Sequence, residues 1–220
     1  MSICYLICPC SCGEYQLSLS EDDMVIAVDG GYRLLSAYGV KADVAIGDFD
    51  SLGYLPSDCP VLSHPVRKDD TDTFLAIKYA YGKGERTFVI LGGSGGDRSD
   101  HTLANLSVLV WLAERGARGY LVGEGHAYTV IKNSCITLNE QESGDVSVFS
   151  FTPECEGVTI EGLSYTLENA RLSYDIPLGV SNSFAGGKGS ISVQKGVLGV
   201  YWQSDLSKIL ETVKDNEKRY

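Results

Sequence analysis

Positive charge is scarce in this chain: 18 Lys and Arg face 29 Asp and Glu, a formal net charge of −11 over 220 residues. No run of basic residues occurs. A phosphate backbone is gripped by clustered Lys and Arg, so no nucleic-acid partner is expected. An anionic nucleotide stays admissible where metal ions and a few local cations screen its phosphates, and a small cationic co-substrate suits the overall sign. Long apolar runs are missing as well. No segment approaches the roughly 20 consecutive apolar residues that cross a bilayer, so no membrane partner is expected either. The apolar start Ile3-Cys4-Tyr5-Leu6-Ile7-Cys8 has no Lys or Arg ahead of it, the first being Arg33, and no small-residue cleavage site behind it. It reads as a buried first strand, and the cytoplasm is the expected location.

Cysteine pairs with metal-binding spacing are lacking too. Of seven Cys, four crowd at Cys4, Cys8, Cys10 and Cys12, while Cys59, Cys135 and Cys155 stand singly. A thiolate zinc site needs a second pair of matching spacing, so reduced thiols are expected. Neither GxxxxGK[ST] nor GxGxxG is present, which removes the P-loop and the dinucleotide fingerprint. Internal repeats, low-complexity tracts and long linkers are absent.

What is present follows two grammars. From residue 1 to 123, short β-branched runs (Ile3–Ile7, Met24–Val28, Val44–Ile46, Val61–Ser63, Thr87–Leu91, Tyr120–Val122) alternate with segments of helical spacing at Tyr32–Tyr38, Thr71–Tyr81 and His101–Arg115. This pattern predicts an α/β N-terminal domain with a mostly parallel sheet. In the last segment Leu103, Leu106, Leu109, Val110 and Ala113 form the expected apolar stripe. From 124 to 220, short strand-like runs separated by Gly, Asn and Pro predict an all-β C-terminal domain of sandwich or jelly-roll type. A closing helix is expected over Leu206–Lys214, with Ser204 as its N-cap.

The chemistry gathers where strands end. In Asp48-Phe49-Asp50 the carboxylates are i and i+2, so an extended backbone points both one way and Phe49 the other. That suits two ligands of one hard cation; a solvated Asp-rich turn is the structural alternative. Asp69-Asp70-Thr71-Asp72 opens a helix that Thr71 or Asp70 can cap, yet three Asp in four residues exceed what a cap requires, and Lys68 supplies a phosphate partner. Gly92-Gly93-Ser94-Gly95-Gly96 follows a strand and precedes a helix, a place where backbone N–H groups cradle phosphate. Arg98 can grip a phosphate and Asp100 can orient a hydroxyl or a cationic ring. His101 beside them is either a base or a helix-start residue. Asp29-Gly30-Gly31 repeats the order strand, acid, glycine. In the second half Tyr165 offers a face for a flat cationic ring, and Ser181 and Asn182 add small polar groups.

Together these motifs resemble the thiamine pyrophosphokinase, or thiamine diphosphokinase, family. The resemblance runs in the family's order through Asp29-Gly30-Gly31, Gly47-Asp48-Phe49-Asp50-Ser51, Lys68-Asp69-Asp70-Thr71-Asp72, Gly95 to Asn105, Gly162-Leu163-Ser164-Tyr165 and Gly179-Val180-Ser181-Asn182. It implies a nucleotide domain followed by a thiamine-binding β domain. It also implies ATP as co-substrate, Mg²⁺ as cofactor, and attack of the thiamine hydroxyl on the β-phosphorus to give thiamine diphosphate and AMP. On that resemblance Asp48, Asp50 and Asp72 hold Mg²⁺, while Asp29, Gly30, Gly31, Lys68, Gly92, Gly93 and Arg98 serve ATP. Asp100, Tyr165, Ser181 and Asn182 serve thiamine, and the chain is a homodimer. Two departures stand out: Cys8-Pro9-Cys10-Ser11-Cys12 replaces the family's usual glycine-rich turn, and Asp97 sets an extra acid beside Arg98. A diphosphokinase for another hydroxymethyl heterocycle, pterin-like, is the near alternative, and a nucleotide- or thiamine-binding sensor without turnover the distant one.

Overall fold

The β-branched runs of the first half become strands buried along nearly their whole length, as a parallel sheet covered on both faces requires. They are β1 (Cys4–Ile7), β2 (Met24–Val28), β3 (Val44–Gly47), β4 (Val61–Ser63) and β5 (Thr87–Leu91). The computed structural model describes residues 2–13, 15–67 and 69–218, so the phosphate partner expected at Lys68 lies outside the described residues. The strands run in the order β5-β1-β2-β3-β4, every neighbour parallel, with Cys4 opposite both Met24 and Phe88. β6 (Arg118–Gly123) stands next to β5. Only β4 is largely exposed, as fits the edge position.

The chain divides into two compact units, Met1–Val108 with Leu121–Glu124, and Leu109–Tyr120 with Gly125–Tyr220. In the first, α1 (Asp72–Gly82) is capped by Thr71, whose hydroxyl accepts the Phe74 N–H at 3.2 Å. The segment expected as a helix over Tyr32–Tyr38 is a 3-10 helix from Asp29 to Tyr38. α2 runs from Ser99 to Ala113, but its inner face is Asn105, Val108, Leu109 and Leu112; Leu103, placed in the expected stripe, is 67% exposed. The buried amide of Asn105 explains the shift, since it donates to Gly93 O at 2.7 Å and so turns that face of the helix inward.

The second unit carries β7 (His126–Lys132), β8 (Cys135–Leu138), β9 (Asp145–Ser150), β10 (Glu154–Glu161), β11 (Leu167–Ser173), β12 (Asn182–Ser183), β13 (Gly189–Ser192) and β14 (Val197–Gln203). They pair antiparallel in the orders β12-β9-β14-β7 and β11-β10-β13-β8. Val148, Leu198, Val200 and Trp202 from one sheet and Ile136, Val158 and Ile191 from the other are almost fully buried. α3 (Leu206–Glu217) closes the unit with Ile209 and Val213 turned inward. Its N-cap is Asp205, which accepts the Lys208 N–H at 2.9 Å, and not Ser204, whose hydroxyl donates to Gln141 Oε1. No helix among the described residues is long and apolar enough to cross a membrane.

Candidate active site

β3 ends at Gly47, and the chain then turns sharply. Phe49 takes a left-handed φ of 58° and buries its ring to 3% exposure, while its carbonyl accepts the N–H groups of Leu52 and Gly53. The segment is therefore a tight turn and not the extended strand end that an i, i+2 reading assumes. The Asp50 N–H donates to Asp48 Oδ1 at 3.3 Å, which turns the Asp48 carboxylate back over the backbone of Asp50.

The third carboxylate comes from the end of β2. Asp29, also left-handed at φ 45°, accepts the Ser51 hydroxyl at 3.0 Å on Oδ2, and its Oδ1 is buried with no hydrogen-bond partner. One oxygen each from Asp29, Asp48 and Asp50 lies within 4.8 Å of the others. Three carboxylates so placed repel one another, and a hard divalent cation is what such a set accommodates. The donor set is all oxygen, and the orphaned Asp29 Oδ1 is a free ligand position, so the residues fit Mg²⁺.

Of the expected metal ligands, Asp48 and Asp50 thus converge, and Asp29 joins them from the group assigned to the nucleotide. Asp72 lies outside that trio. It is the first residue of α1, half-buried, beside Thr73, whose hydroxyl is 3.7 Å from Cys8 Sγ. Asp70, just ahead of α1, pairs with Lys78 of that helix. The signal for Asp29 was in the sequence as a third occurrence of strand, acid, glycine. What linear reading missed is Ser51, which orients that acid.

The glycine-rich turn after β5 has two halves. Gly92 and Gly93 are buried: a Cβ on Gly92 would stand 1.8 Å from Cys10 O, and one on Gly93 2.6 Å from Leu121 Cδ1. The Gly92 N–H donates to Val122 O at 2.9 Å and to Cys12 Sγ at 2.8 Å, so it serves the fold. Gly95 and Gly96 are exposed, with open space beside Gly95. The strand order reverses between β1 and β5, where open α/β sheets form their crevice. Here the cysteine-rich segment packs against that turn: the Cys8 N–H donates to Leu91 O at 2.8 Å, and the Cys12 thiol to Val122 O at 3.1 Å.

Arg98 and Asp100 are brought together. The guanidinium makes a bidentate pair, Nε to Oδ1 at 2.9 Å and Nη2 to Oδ2 at 2.8 Å, and Nη2 also lies 2.7 Å from His101 Nε2. Hydrogen bonding to Arg98 lowers the Asp100 carboxyl to about 2. Both side chains are 65% exposed, so the pair is open to exchange for a ligand anion.

In the second unit a cleft of about 410 Å³ is lined by Tyr165, Leu178, Gly179, Val180, Ser181 and Asn182, among others. The Tyr165 ring is 71% exposed. Ser181 is left-handed at φ 61°, and its N–H donates to Ser147 Oγ at 3.2 Å. Asn182 is 7% exposed, its amide turned mainly to neighbouring backbone.

A parallel sheet covered by helices, with carboxylates gathered where β2 and β3 end and a glycine-rich turn after β5, has the form of an α/β transferase acting on phosphates. Residues 15–121 match the family described as thiamin pyrophosphokinase, catalytic domain, and residues 134–198 match its vitamin B1 binding domain. The chain is 27% identical over 185 residues to the thiamine pyrophosphokinase of Bacillus subtilis (strain 168), covering 81% of this chain and 86% of that one. The crystal structure of thiamine pyrophosphokinase from Bacillus subtilis superposes with a TM-score of 0.76 at 24% identity, over 94% of this chain and all of that one. That from Geobacillus thermodenitrificans gives 0.73 at 25%, over 94% and 99%. The chain belongs to the thiamin pyrophosphokinase family.

Proposed function

We propose that the chain transfers the pyrophosphoryl group of ATP to the hydroxyl of thiamine, giving thiamine diphosphate and AMP. The observation that carries this reading is the convergence of Asp29, Asp48 and Asp50 within the catalytic region of the family. The thiamine hydroxyl oxygen bonds to the β-phosphorus, the bond from that phosphorus to the α,β-bridging oxygen breaks, AMP departs and the hydroxyl proton is released. Such a transfer asks a protein for positioning and charge neutralisation more than for covalent chemistry.

Asp29, Asp48 and Asp50 would hold Mg²⁺, and Asp72, at the start of α1, would be the further carboxylate ligand. When bound, the cation neutralises phosphate charge and aligns the group for in-line attack. Arg98 exchanges its exposed Asp100 partner for phosphate oxygens, which leaves Asp100 to orient the cationic acceptor. Lys68, Gly30 and Gly31 belong to the nucleotide side. Tyr165 and Ser181 line the thiamine cleft, where an exposed ring favours a flat cation by stacking.

Tyr165, Leu178 and Val180 leave apolar surface around that cleft, 71%, 67% and 42% exposed, which supports a homodimer. None of the seven cysteines is joined in a disulfide, which supports the cytoplasm. Light scattering that finds only monomer at working concentration rejects the dimer. The activity test is incubation of pure protein with ATP, Mg²⁺ and thiamine, with products identified by mass. AMP with thiamine diphosphate supports the reading. ADP with thiamine monophosphate rejects pyrophosphoryl transfer, and no turnover at saturating substrate rejects the enzyme.

A further inference from the structure

Asn182 forms hydrogen bonds in the manner of a peptide group. Its Oδ1 accepts the backbone N–H of Tyr165 at 2.9 Å and that of Ser183 at 2.8 Å, and its Nδ2 donates to Tyr165 O at 2.7 Å. Both backbone groups of Tyr165 are thereby paired with one side chain. The neighbouring residues continue the pattern as a true ladder: the Ser164 N–H donates to Ser183 O at 2.9 Å, and Leu163 bridges Phe184 antiparallel. At Tyr165 the ladder thus passes from backbone to side chain. The backbone there is fixed from one side while the ring stands 71% exposed over the cleft.

The same device occurs elsewhere in this unit. Asn216 Oδ1 accepts the Thr137 N–H at 2.9 Å and its Nδ2 donates to Thr137 O at 2.7 Å, tying α3 to β8. There the tied residue lies within a strand, and the clamp only holds elements together. At Asn182 the tied residue carries an exposed aromatic ring, the kind of group that binds a flat cation only when its plane is held in place.

We propose that Asn182 is a positioning residue for thiamine recognition: it fixes the Tyr165 backbone so that the ring presents a preformed stacking face, and it acts on the ligand through that ring. This rests on the reading that Tyr165 contacts thiamine. An amide holding two acceptor bonds and one donor bond to backbone has at most one N–H left for a ligand, so its effect on affinity is mainly indirect. Side chains that act through a common partner are non-additive on removal.

The test is a double-mutant cycle on the full chain, with thiamine affinity read by calorimetry and KM for thiamine and for ATP read in the transfer assay. Asn182→Ala and Tyr165→Ala are each expected to weaken thiamine by about tenfold, with KM for ATP unchanged, and the double variant to be no weaker than Tyr165→Ala alone. A purely structural role for Asn182 moves kcat and both KM values together and overturns the proposal, as do losses that add in the double variant. If Asn182→Ala fails to fold, Asn182→Asp serves: it keeps both acceptor bonds, loses the donor bond to Tyr165 O, and is expected to weaken thiamine only in the presence of Tyr165. Tyr165→Ala without effect on thiamine refutes the contact itself. That outcome is distinct from additive losses, which refute only the role of Asn182.

Discussion

A methyl group on Gly47 would collide with Asp29: a Cβ built there would stand 2.9 Å from Asp29 Cα and 3.0 Å from its Cβ. Glycine at the end of β3 thus lets the turn after β2 lie directly over the strand that delivers Asp48. Gly30 repeats the theme, since a Cβ there would stand 2.9 Å from the Ser51 hydroxyl that orients Asp29. The acidic cluster depends on two absent side chains as much as on three carboxylates.

Gly47→Ala is expected to destabilise the fold by about 1–3 kcal/mol, the usual cost of overpacking a filled site. It is also expected to weaken Mg²⁺ binding, because the displaced backbone carries Asp29. Urea unfolding and calorimetric titration with Mg²⁺ read the two effects separately. A wild-type midpoint together with wild-type Mg²⁺ affinity counts against the close approach.

Asp29→Asn and Asp50→Asn should each cut turnover by at least about tenfold, roughly 1.4 kcal/mol of transition-state stabilisation. In metal-free protein the same changes remove like-charge repulsion within the cluster, so stability holds or rises. Activity and stability are expected to move in opposite directions, and the increase in Tm on adding Mg²⁺ to shrink. A drop in metal-free Tm alongside lost activity would mean that these residues hold the fold and not a cation.

Arg98 and Asp100 make a pH prediction with a definite sign. The folded-state pKa of Asp100, about 2, lies below its ordinary value of 3.8 because Arg98 hydrogen-bonds the ionised form. Whatever the pair contributes is complete above that ordinary value and disappears as pH falls through about 2. Across neutral pH Asp100 remains charged and adds no inflection to the rate profile. Carboxyl resonances followed by NMR should place its titration near 2, and Arg98→Ala should return it towards 3.8; an unmoved midpoint in the variant breaks the assignment.

The strands of the parallel sheet were legible because burial on both faces writes itself as continuous β-branched runs, and Met24–Val28, Val61–Ser63 and Thr87–Leu91 have the same bounds in sequence and structure. The inner face of α2 was not, because a polar residue, Asn105, faces inward there and an apolar one, Leu103, faces out. Periodicity counts apolar residues and is blind to a buried amide that has found its carbonyl. The same blindness hid what Asn182 holds. For the cluster, residue types identified Asp48 and Asp50, but Asp29 is 19 positions from Asp48 and meets it only because β2 and β3 are neighbours. At Gly92 and Gly93, where a glycine-rich turn suggests a phosphate cradle, the structure adds a reason for their size that composition does not carry: Cys10 and Leu121 pack against them.

The cysteine-rich segment gives the last prediction. Burial pushes the Cys8 thiol up to about 12 and Cys12 up to about 11, and raises Cys4 well above its usual value. At pH 8 these groups are protonated and shielded, and the thiolate is the reactive form. Cys10 is partly exposed and Cys135 exposed. Brief iodoacetamide treatment of native protein should therefore modify Cys135 and Cys10 while sparing Cys4, Cys8 and Cys12, and urea should make all of them reactive. Peptide mapping by mass reads the pattern. Cys12 carries most of the weight, because its sulfur takes the Gly92 N–H and gives its proton to Val122 O beside the glycine-rich turn. Rapid native labelling of Cys12 would mean that the segment opens away from the turn and breaks these bonds.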